Sequence, residues 1–502
     1  MRPQPRDPFA PAKMVIEYVD AAAGAYKTTV AVTQALEAAG RGDKIIFAMP
    51  TLKLISEWYH RAKKMKPTCP VEQITTGYSE GPRQFWLNPC EGAVGNAIPD
   101  HIIDTNYGHV LFITQAGLMT VEDWPAQAKE YELVMDEVME TLLSRKPFQL
   151  RFSHHTLTGF LKVEDLPEVD EQNPYYRVLP PPDAEIWKTE HRAQFGDRDQ
   201  VYKLFEDVAQ WILEGACLFT DKKRWDLMVT KDQKGYRKGL VTISGFRRPE
   251  AVDMFKRVTI MSALFHHTML AHVWKRLGVR FVRSKAIKVT KPKVLLGRRK
   301  LKLYWLVDGG WSKTARNNAG GIAPVLELIR KSGAVDLKQP VCVSINKDDG
   351  FTVVKKSFPK AIDMPHANKG LNTWQHHNQL IYCSALNNYT PDIRWIEHAL
   401  GVDSDRQRIG RLGNEVYQTV MRLSLRKEDT GSARLPDVTV VVMDRDVAEW
   451  LPQWFDGDVE VAEINSRGVV KVRKNGRPRI GDQAMTSAER MRKMRERKKA
   501  TA

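Results

Sequence analysis

The chain has 502 residues, enough for two to four domains that each bury a core. Its 42% hydrophobic and 27% charged residues exclude an intrinsically disordered chain, and it has no run of about 18 apolar residues that would predict a membrane span. The net charge of +17 is concentrated at one end, where Ser466–Ala502 carry 13 Lys and Arg against three acidic residues, a pattern typical of proteins that bind a polyanion.

The N-terminal 140 residues have the pattern of a parallel α/β sheet. Met14–Val19 predicts a short buried strand, Val30–Ala39 a helix, and Lys44–Met49 a second strand. Strand, turn, helix and strand in this order form a βαβ unit. Further strands are predicted at Val110–Thr114, Leu133–Met135 and Val258–Met261.

The amino-acid composition of the remaining chain changes after residue 140 and again after residue 240. Residues 141–240 are rich in aromatic, Pro and charged residues, with a helix predicted around Asp199–Glu214, and we interpret them as an inserted accessory segment. Strands are then predicted at Lys300–Val307, Val341–Ile345, Gln379–Cys383 and Val438–Met443. We therefore predict an α/β fold with two parallel-sheet domains, one at 1–140 with 241–280 and one at 281–465, followed by a basic linker and tail at 466–502.

Cysteine and histidine give no sign of a metal site in the sequence. The cysteines are odd in number and widely spaced, which excludes a disulfide framework and a C-x-x-C site. The three His-His pairs, at 154–155, 266–267 and 376–377, point apart on a helix or a strand. The N-terminus lacks the apolar segment of a secretory signal, so we expect a reduced, cytoplasmic protein.

The turn after the first strand is a candidate phosphate-binding loop. It reads Ala-Ala-Ala-Gly-Ala-Tyr-Lys-Thr from Ala21 to Thr28, and backbone N–H groups and the helix dipole at such a turn attract phosphate. Lys27 would reach the β- and γ-phosphates, and the Thr28 hydroxyl would bind Mg²⁺. The candidate nucleotide contacts are Gly24, Ala25, Tyr26, Lys27, Thr28 and Thr29. Ala21 and Tyr26 replace the two glycines of the P-loop pattern, and a left-handed Tyr26 would cost about 1–2 kcal/mol, so an ordinary strand-to-helix turn stays open as the alternative.

Two further groups would complete an ATP site. The strand at Leu133–Met135 ends in Asp136, which would hold Mg²⁺ through water, and Glu137, which would polarise the attacking water. Gln418, Arg422 and Arg426 fall at i, i+4 and i+8 on one face of a helix predicted at 415–426. An arginine at the γ-phosphate can contribute about 10³–10⁵ in rate. A solvated basic helix face is the alternative.

Together these segments resemble the motifs of superfamily-2 DNA/RNA helicases. Ala21–Thr28 stands where that family has A-P-T-G-S-G-K-T, Met135–Glu137 resembles the start of its D-E-x-H box, and Ile260–Ala263 resembles its S-A-T motif. Gln418 and Arg422 match Q-x-x-G-R-x-x-R, with Arg426 one position beyond the second arginine. The resemblance implies two RecA-like domains that bind ATP and Mg²⁺ between them. The catalytic residues that it implies are Lys27, Glu137, Gln418, Arg422 and Arg426.

The resemblance also implies contacts to nucleic acid. Thr51 and Thr114 stand in strand-contact motifs of the first domain, and Asn346 and Asn372 in motifs of the second. In the tail, Arg477 and Arg479 belong to an AT-hook-like Gly-Arg-Pro segment suited to a narrow A·T minor groove. Arg490 and Arg492 follow a capping box and belong to a predicted cationic helix.

The tail is similar to those of phage and mobile-element proteins. This similarity implies a DNA helicase or translocase that acts in replication or recombination in a bacterial host cytoplasm. DNA is then favoured over RNA, and replication or recombination proteins are expected as partners.

Two other functions stay open at this stage. A viral DNA-packaging ATPase also has a lysine loop and an Asp-Glu strand end, and its nuclease carboxylates would include Asp348, Asp349 and Asp363. A DNA-binding replication or regulatory factor with a decayed ATP site would account for Tyr26. The aromatic and cationic residues between Trp187 and Trp225 suit either single-stranded nucleic acid or, as we favour, a small helical accessory domain.

Overall fold

The computed structural model forms two compact units, one comprising Met1–Val294, Lys369–Leu371 and Asn388–Asn414 and the other comprising the rest of the chain. The predicted second domain included Asn388–Asn414, which packs in the first unit. The structure describes residues 7–75, 78–80, 93–121, 123–144, 148–149, 157–159, 161–166, 174–180, 206–230, 240–289, 293–365, 373–386, 390–426, 435–466, 469, 479–480 and 483–484.

The first unit is built on an eight-stranded sheet that is parallel except at one edge. Its strands run in the order Arg280–Arg283, Val15–Asp20, Arg257–Ser262, Tyr131–Asp136, Lys44–Met49, His109–Thr114, Val71–Thr75 and Tyr78–Glu80. The central strand Lys44–Met49 is buried at every position, as expected for a strand covered on both faces. The predicted strands of this sheet are confirmed, with ends that shift by one or two residues.

Helices cover this sheet, and side-chain caps begin several of them. The first begins at Lys27 and ends at Gly40, and Thr51 and Thr268 cap two others through their hydroxyl groups. Among the described residues, the helices of the first unit are Lys27–Gly40, Leu52–Lys64, Ala93–Asp104, Gln115–Thr120, Glu206–Leu213, Lys222–Val229, Met269–Arg276, Thr390–Leu400 and Ser404–Arg408, with short 3₁₀ turns at Ala126–Glu130, Pro249–Val252 and Phe265–His267 and a π-helical turn at Ile409–Gly413.

The inserted segment contains an antiparallel sheet, and the expectation of a small helical domain was wrong. Its strands run in the order Leu142–Ser144, Ile243–Phe246, Cys217–Asp221, Tyr175–Leu179 and Lys162–Asp165, and Leu240–Val241 pairs separately with Phe148–Gln149. A separate apolar core that includes Leu218, Trp225 and Ile243 lies here. The predicted helix at 199–214 is present from Glu206 to Leu213 among the residues described.

The second unit is built on a six-stranded sheet, parallel throughout. Its strands run in the order Ala361–Asp363, Val341–Ser344, Gln379–Tyr382, Val438–Asp444, Leu301–Val307 and Val459–Glu463. Its helices are Lys313–Asn318, Ala323–Ser332, Phe351–Ser357, Arg445–Trp450 and Asn414–Val420, the last of which begins at the unit boundary, with 3₁₀ turns at Lys347–Asp349, Ser424–Arg426 and Leu451–Trp454.

The predicted fold class is confirmed: the chain is α/β, with two parallel sheets consistent with two RecA-like domains. No helix within the described part of the chain combines the length and apolar character needed to cross a membrane.

Candidate nucleotide-binding site

The predicted site residues of the first unit lie at the carboxyl-terminal end of three neighbouring strands. Val15–Asp20 and Tyr131–Asp136 flank Arg257–Ser262, and all three are parallel. In the register, Asp20 is opposite Ser262, and Met261 is opposite Asp136. The loop after the first strand, the acidic strand end and the motif Ile260–Ala263 therefore meet at the carboxyl-terminal end of the sheet. This is the position where open α/β sheets bind ligands.

The loop from Ala21 to Tyr26 has the tight, left-handed backbone that its sequence predicts. Gly24 has φ 82°, and Tyr26, the residue before the helix, has φ 58° and ψ 25°. The Tyr26 ring is 60% exposed, so packing does not explain the conformation. Tyr26 provides no side-chain cap, and the positive end of the helix dipole lies at this loop, where it favours an anion.

Lys27 lies inside the loop rather than in solvent. Its Nζ donates hydrogen bonds to the carbonyl oxygens of Ala21 at 2.9 Å and Ala22 at 3.2 Å, and the residue is only 7% exposed. The buried ammonium is therefore held beneath the same backbone that would surround a phosphate.

Thr28 and Asp136 are in direct contact although they are far apart in sequence. The Thr28 hydroxyl donates to the Asp136 carboxylate, at 3.0 Å from Oδ1 and 3.1 Å from Oδ2. A hydroxyl and a carboxylate side by side are oxygen ligands of the kind that Mg²⁺ takes beside a bound nucleotide. These residues fit the metal that the sequence implies.

Glu137 is held in a strained conformation by the neighbouring strand. Its φ is 69°, its N–H donates to the Met261 carbonyl at 2.8 Å, and its Oε2 accepts from the Ser262 hydroxyl at 3.0 Å. The motif Ile260–Ala263 thus contacts Glu137 directly. Strain of this kind persists where surrounding contacts fix the residue, often at functional sites.

Sequence reasoning missed Gln115 as a positioning residue. Its Nε2 donates to the backbone carbonyls of Asp136 at 3.1 Å and Glu137 at 2.9 Å, so this amide holds the acidic strand end in place. The signal in the sequence was its position directly after the strand His109–Thr114, which neighbours the central strand of the same sheet.

Thr51, Thr114 and Asn346, which were assigned to nucleic-acid contact, have local roles in the structure. The Thr51 hydroxyl accepts from Leu54 N at 3.3 Å and the Thr114 hydroxyl from Gly117 N at 2.8 Å, so each caps a helix. In the second unit, Asn346 pairs with the backbone of Ala385, its Oδ1 accepting at 2.8 Å. Their contact with nucleic acid stays a prediction.

The helix predicted at 415–426 is shorter than its periodicity indicates. It ends at Val420, and the chain then tightens because Arg422 N donates to Thr419 O and Leu423 N to Val420 O. Ser424 N turns away to the His377 carbonyl at 3.0 Å. The single face expected for Gln418, Arg422 and Arg426 is therefore wrong, since Arg426 lies in a separate 3₁₀ turn.

Gln418 and Arg422 are buried within the second unit, at 5% and 6% exposure, which excludes the solvated helix face. A buried arginine outside the motif shapes the turn that follows them. Arg299 donates to the carbonyls of Leu296 at 3.1 Å, Ser424 at 2.9 Å and Leu425 at 3.4 Å. No local sequence pattern distinguishes Arg299 from its exposed neighbour Arg298.

Several predicted residues are outside the part of the chain that can be described. Asn372, Arg477, Arg490 and Arg492 lie outside it, and of Arg479 only the backbone is described, in a two-residue strand paired with Gln483–Ala484.

Searches against known proteins return distant structural likeness alone. No protein-family model and no curated protein matches the chain. S. cerevisiae Dbp5 bound to RNA and ADP BeF3 superposes with a TM-score of 0.34 at 8% identity, over 91% of this chain and 88% of that one. The DUF1998 helicase MrfA bound to DNA and AMPPNP superposes with a TM-score of 0.29 at 9% identity, over 86% of this chain and 46% of that one. Likeness of this degree assigns neither a family nor an activity, so function must be argued from the site.

Proposed function

We propose that this protein is an ATP hydrolase of the helicase type, which binds ATP and Mg²⁺ at the loop Ala21–Thr28 and moves on or remodels nucleic acid. The observation that carries the proposal is the contact between the Thr28 hydroxyl and the Asp136 carboxylate, next to the buried Lys27 ammonium. Ordinary strand-to-helix turns have no need of this combination.

Each residue of the proposed site would have a separate role toward the nucleotide. Lys27 would exchange its two carbonyl partners for phosphate oxygens, and the first-turn N–H groups would bind the remaining charge. Thr28 and Asp136 would hold Mg²⁺, which neutralises phosphate charge when bound. Glu137, fixed by Ser262 and Gln115, would orient the attacking water.

The finer parts of the proposal rest on the sequence. We propose that Gln418, Arg422 and Arg426 of the second unit act on the γ-phosphate and that the basic tail binds DNA in replication or recombination. The charge of +17 supports a polyanionic partner.

The packaging-ATPase alternative is disfavoured by the second unit. Asp348 pairs with Arg316 at 3.0 Å and with Lys313 at 2.9 Å, and these cations hold the pKa of Asp348 below its usual range. Asp349 also pairs with Arg316. Among the described residues, Asp348, Asp349 and Asp363 do not form a group that could share an ion. The decayed-site alternative is disfavoured because Lys27, Thr28 and Asp136 retain a coherent arrangement.

Steady-state ATP hydrolysis tests the proposal. Wild-type protein with Mg²⁺ should hydrolyse ATP, faster when single-stranded DNA or RNA is added, and Lys27→Ala should lower the rate at least about 100-fold. The control is Lys129→Ala, at an exposed position of the same unit, which should match wild type. Wild-type protein without activity under any of these conditions, or undiminished activity in Lys27→Ala, would overturn the proposal.

A further inference from the structure

A second cluster of titratable side chains lies at the amino-terminal end of the strands in the sheet of the first unit. His109 begins the strand His109–Thr114, and Glu72 is the second residue of the neighbouring parallel strand Val71–Thr75. His101 comes from the helix Ala93–Asp104. All strands of a parallel sheet begin at the same end of the sheet and finish at the other. The cluster therefore lies at the end opposite to that of Asp20, Asp136 and Ser262.

The three side chains converge on one small buried volume. Glu72 Oε2 is 2.9 Å from His101 Nε2 and 3.8 Å from His109 Nε2, and one ligand atom from each residue lies within 4.8 Å of the others. Glu72, His101 and His109 are 3%, 8% and 0% exposed.

The hydrogen bonds around His109 leave one of its nitrogens directed at the carboxylate. His109 Nδ1 is 3.1 Å from the Tyr107 carbonyl oxygen, an acceptor that places the ring proton on Nδ1. Nε2 then presents its lone pair toward Glu72 Oε2 and has no hydrogen-bond partner among the described residues, whereas Glu72 Oε2 also lies 2.9 Å from His101 Nε2.

Two buried acceptors that face each other without a proton between them are unfavourable. A cation placed among the three side chains would satisfy both. The nearby ammonium of Lys44 does not supply it, because Lys44 Nζ already donates to Glu130 at 2.6 Å and to the Thr105 carbonyl at 2.9 Å.

We propose that Glu72, His101 and His109 form a binding site for a divalent transition metal, with Zn²⁺ as the best match. Two imidazoles and one carboxylate are a known zinc ligand set, and bonds of about 2.0–2.1 Å in a tetrahedron place ligand atoms about 3.3 Å apart. The distances of 2.9 and 3.8 Å fall on either side of that value. On binding, the metal displaces any proton shared by His101 and Glu72.

The surrounding groups are those that orient metal ligands. The Tyr107 hydroxyl donates to the second carboxylate oxygen, Glu72 Oε1, at 3.1 Å, and the Tyr107 carbonyl fixes the His109 tautomer. The metal would join two strand starts to a helix of the first unit. The proposed metal site does not depend on the proposed ATP site, and the two are tested by separate experiments.

Titration of tag-free protein with Co²⁺ in the absence of nucleotide tests the site. We expect one equivalent to bind with a Kd below about 1 μM, to give the visible absorption of tetrahedral Co²⁺, and to be displaced by Zn²⁺. His109→Ala and the isosteric Glu72→Gln should each weaken binding at least about 100-fold. His60→Ala, which removes an exposed histidine of the same unit, should bind as wild type does.

X-ray absorption of the Zn²⁺-loaded wild-type protein gives a readout that needs no variant. The account predicts two imidazole ligands with nitrogen and oxygen neighbours at about 2.0–2.1 Å and no sulfur. Wild-type protein that binds no stoichiometric metal, a sulfur ligand in the spectrum, or folded His109→Ala that binds as tightly as wild type would overturn the proposal.

Discussion

Three residues with left-handed backbone mark the edge of the sheet where the nucleotide site is proposed. Tyr26, Glu137 and Leu264 have φ values of 58°, 69° and 56°, and each follows the end of one of three adjacent strands. Each conformation costs about 1–2 kcal/mol for a non-glycine residue. Strain concentrated at one sheet edge is expected where function rather than stability has selected the backbone.

Comparing Tyr26→Gly with Tyr26→Ala measures this strain. Both remove the exposed ring, but alanine keeps the Cβ that disfavours the left-handed region. We expect Tyr26→Gly to be more stable than Tyr26→Ala by about 1 kcal/mol in urea denaturation. Equal stability of the two variants would show that Tyr26 is not strained in solution.

Thr28→Val tests the proposed metal ligand at the scale of one atom. The substitution replaces the hydroxyl that contacts Asp136 with a methyl group, so we expect Mg²⁺-dependent ATP hydrolysis to fall at least about 10-fold while the fold is kept. Thr33→Val, at an exposed position of the same helix, serves as the matched control. Hydrolysis that falls equally in both variants would contradict the assignment.

The position of the candidate site residues was predictable from sequence where each lies at or after the end of a single strand, and their roles stay predictions. Lys27, Thr28, Asp136 and Glu137 all do so, and order along the chain was enough to group them. Gln115 acts through backbone carbonyls, which leave no trace in residue type. The Glu72, His101 and His109 cluster draws on three separate elements, so no spacing motif signals it.

At the scale of elements, the central strands were predicted because parallel strands buried on both faces are nearly continuous apolar runs, whereas the edge strands Arg280–Arg283 and Val459–Glu463 were not. The helix at 415–426 was not, because periodicity does not register a tertiary contact such as that between Ser424 N and the His377 carbonyl. The inserted segment was misread for a related reason: its composition does not reveal that Tyr175–Leu179 and Cys217–Asp221 pair as antiparallel strands over a separate apolar core.

The turn that follows Gln418 and Arg422 should depend on Arg299. Arg299→Ala would leave three buried carbonyls without their charged donor, and we expect a loss of about 3 kcal/mol or more in the free energy of unfolding of the second unit. Thermal denaturation followed by circular dichroism measures this. Arg298→Ala, the exposed neighbour, should change stability little, and equal effects in the two variants would contradict the role given to Arg299.

At the scale of the whole molecule, the dominant feature is the uneven charge. Ser466–Ala502 carry +10 of the net +17, so the tail should supply much of any attraction for phosphate backbones. This feature was readable from composition alone, since it depends on no fold.

Removal of Ser466–Ala502 should therefore weaken nucleic-acid binding and reduce its salt dependence. Fewer counterions are released by the shortened protein, so the slope of log K against log salt should become less steep by about 0.9 for each phosphate that the tail no longer neutralises. Fluorescence anisotropy at several salt concentrations measures both quantities. An unchanged slope would show that the tail does not touch the phosphate backbone.

The central claim is that Thr28 and Asp136 hold Mg²⁺ beside a nucleotide bound by Lys27. The most direct test is the affinity for ATP measured by calorimetry with Mg²⁺ and with EDTA, in wild type and in Asp136→Asn. We predict that Mg²⁺ tightens binding at least about 10-fold in wild type, which is about 1.4 kcal/mol, and has little effect in Asp136→Asn. Wild-type protein that binds no ATP, or an Asp136→Asn variant that keeps the full Mg²⁺ effect, would contradict the account.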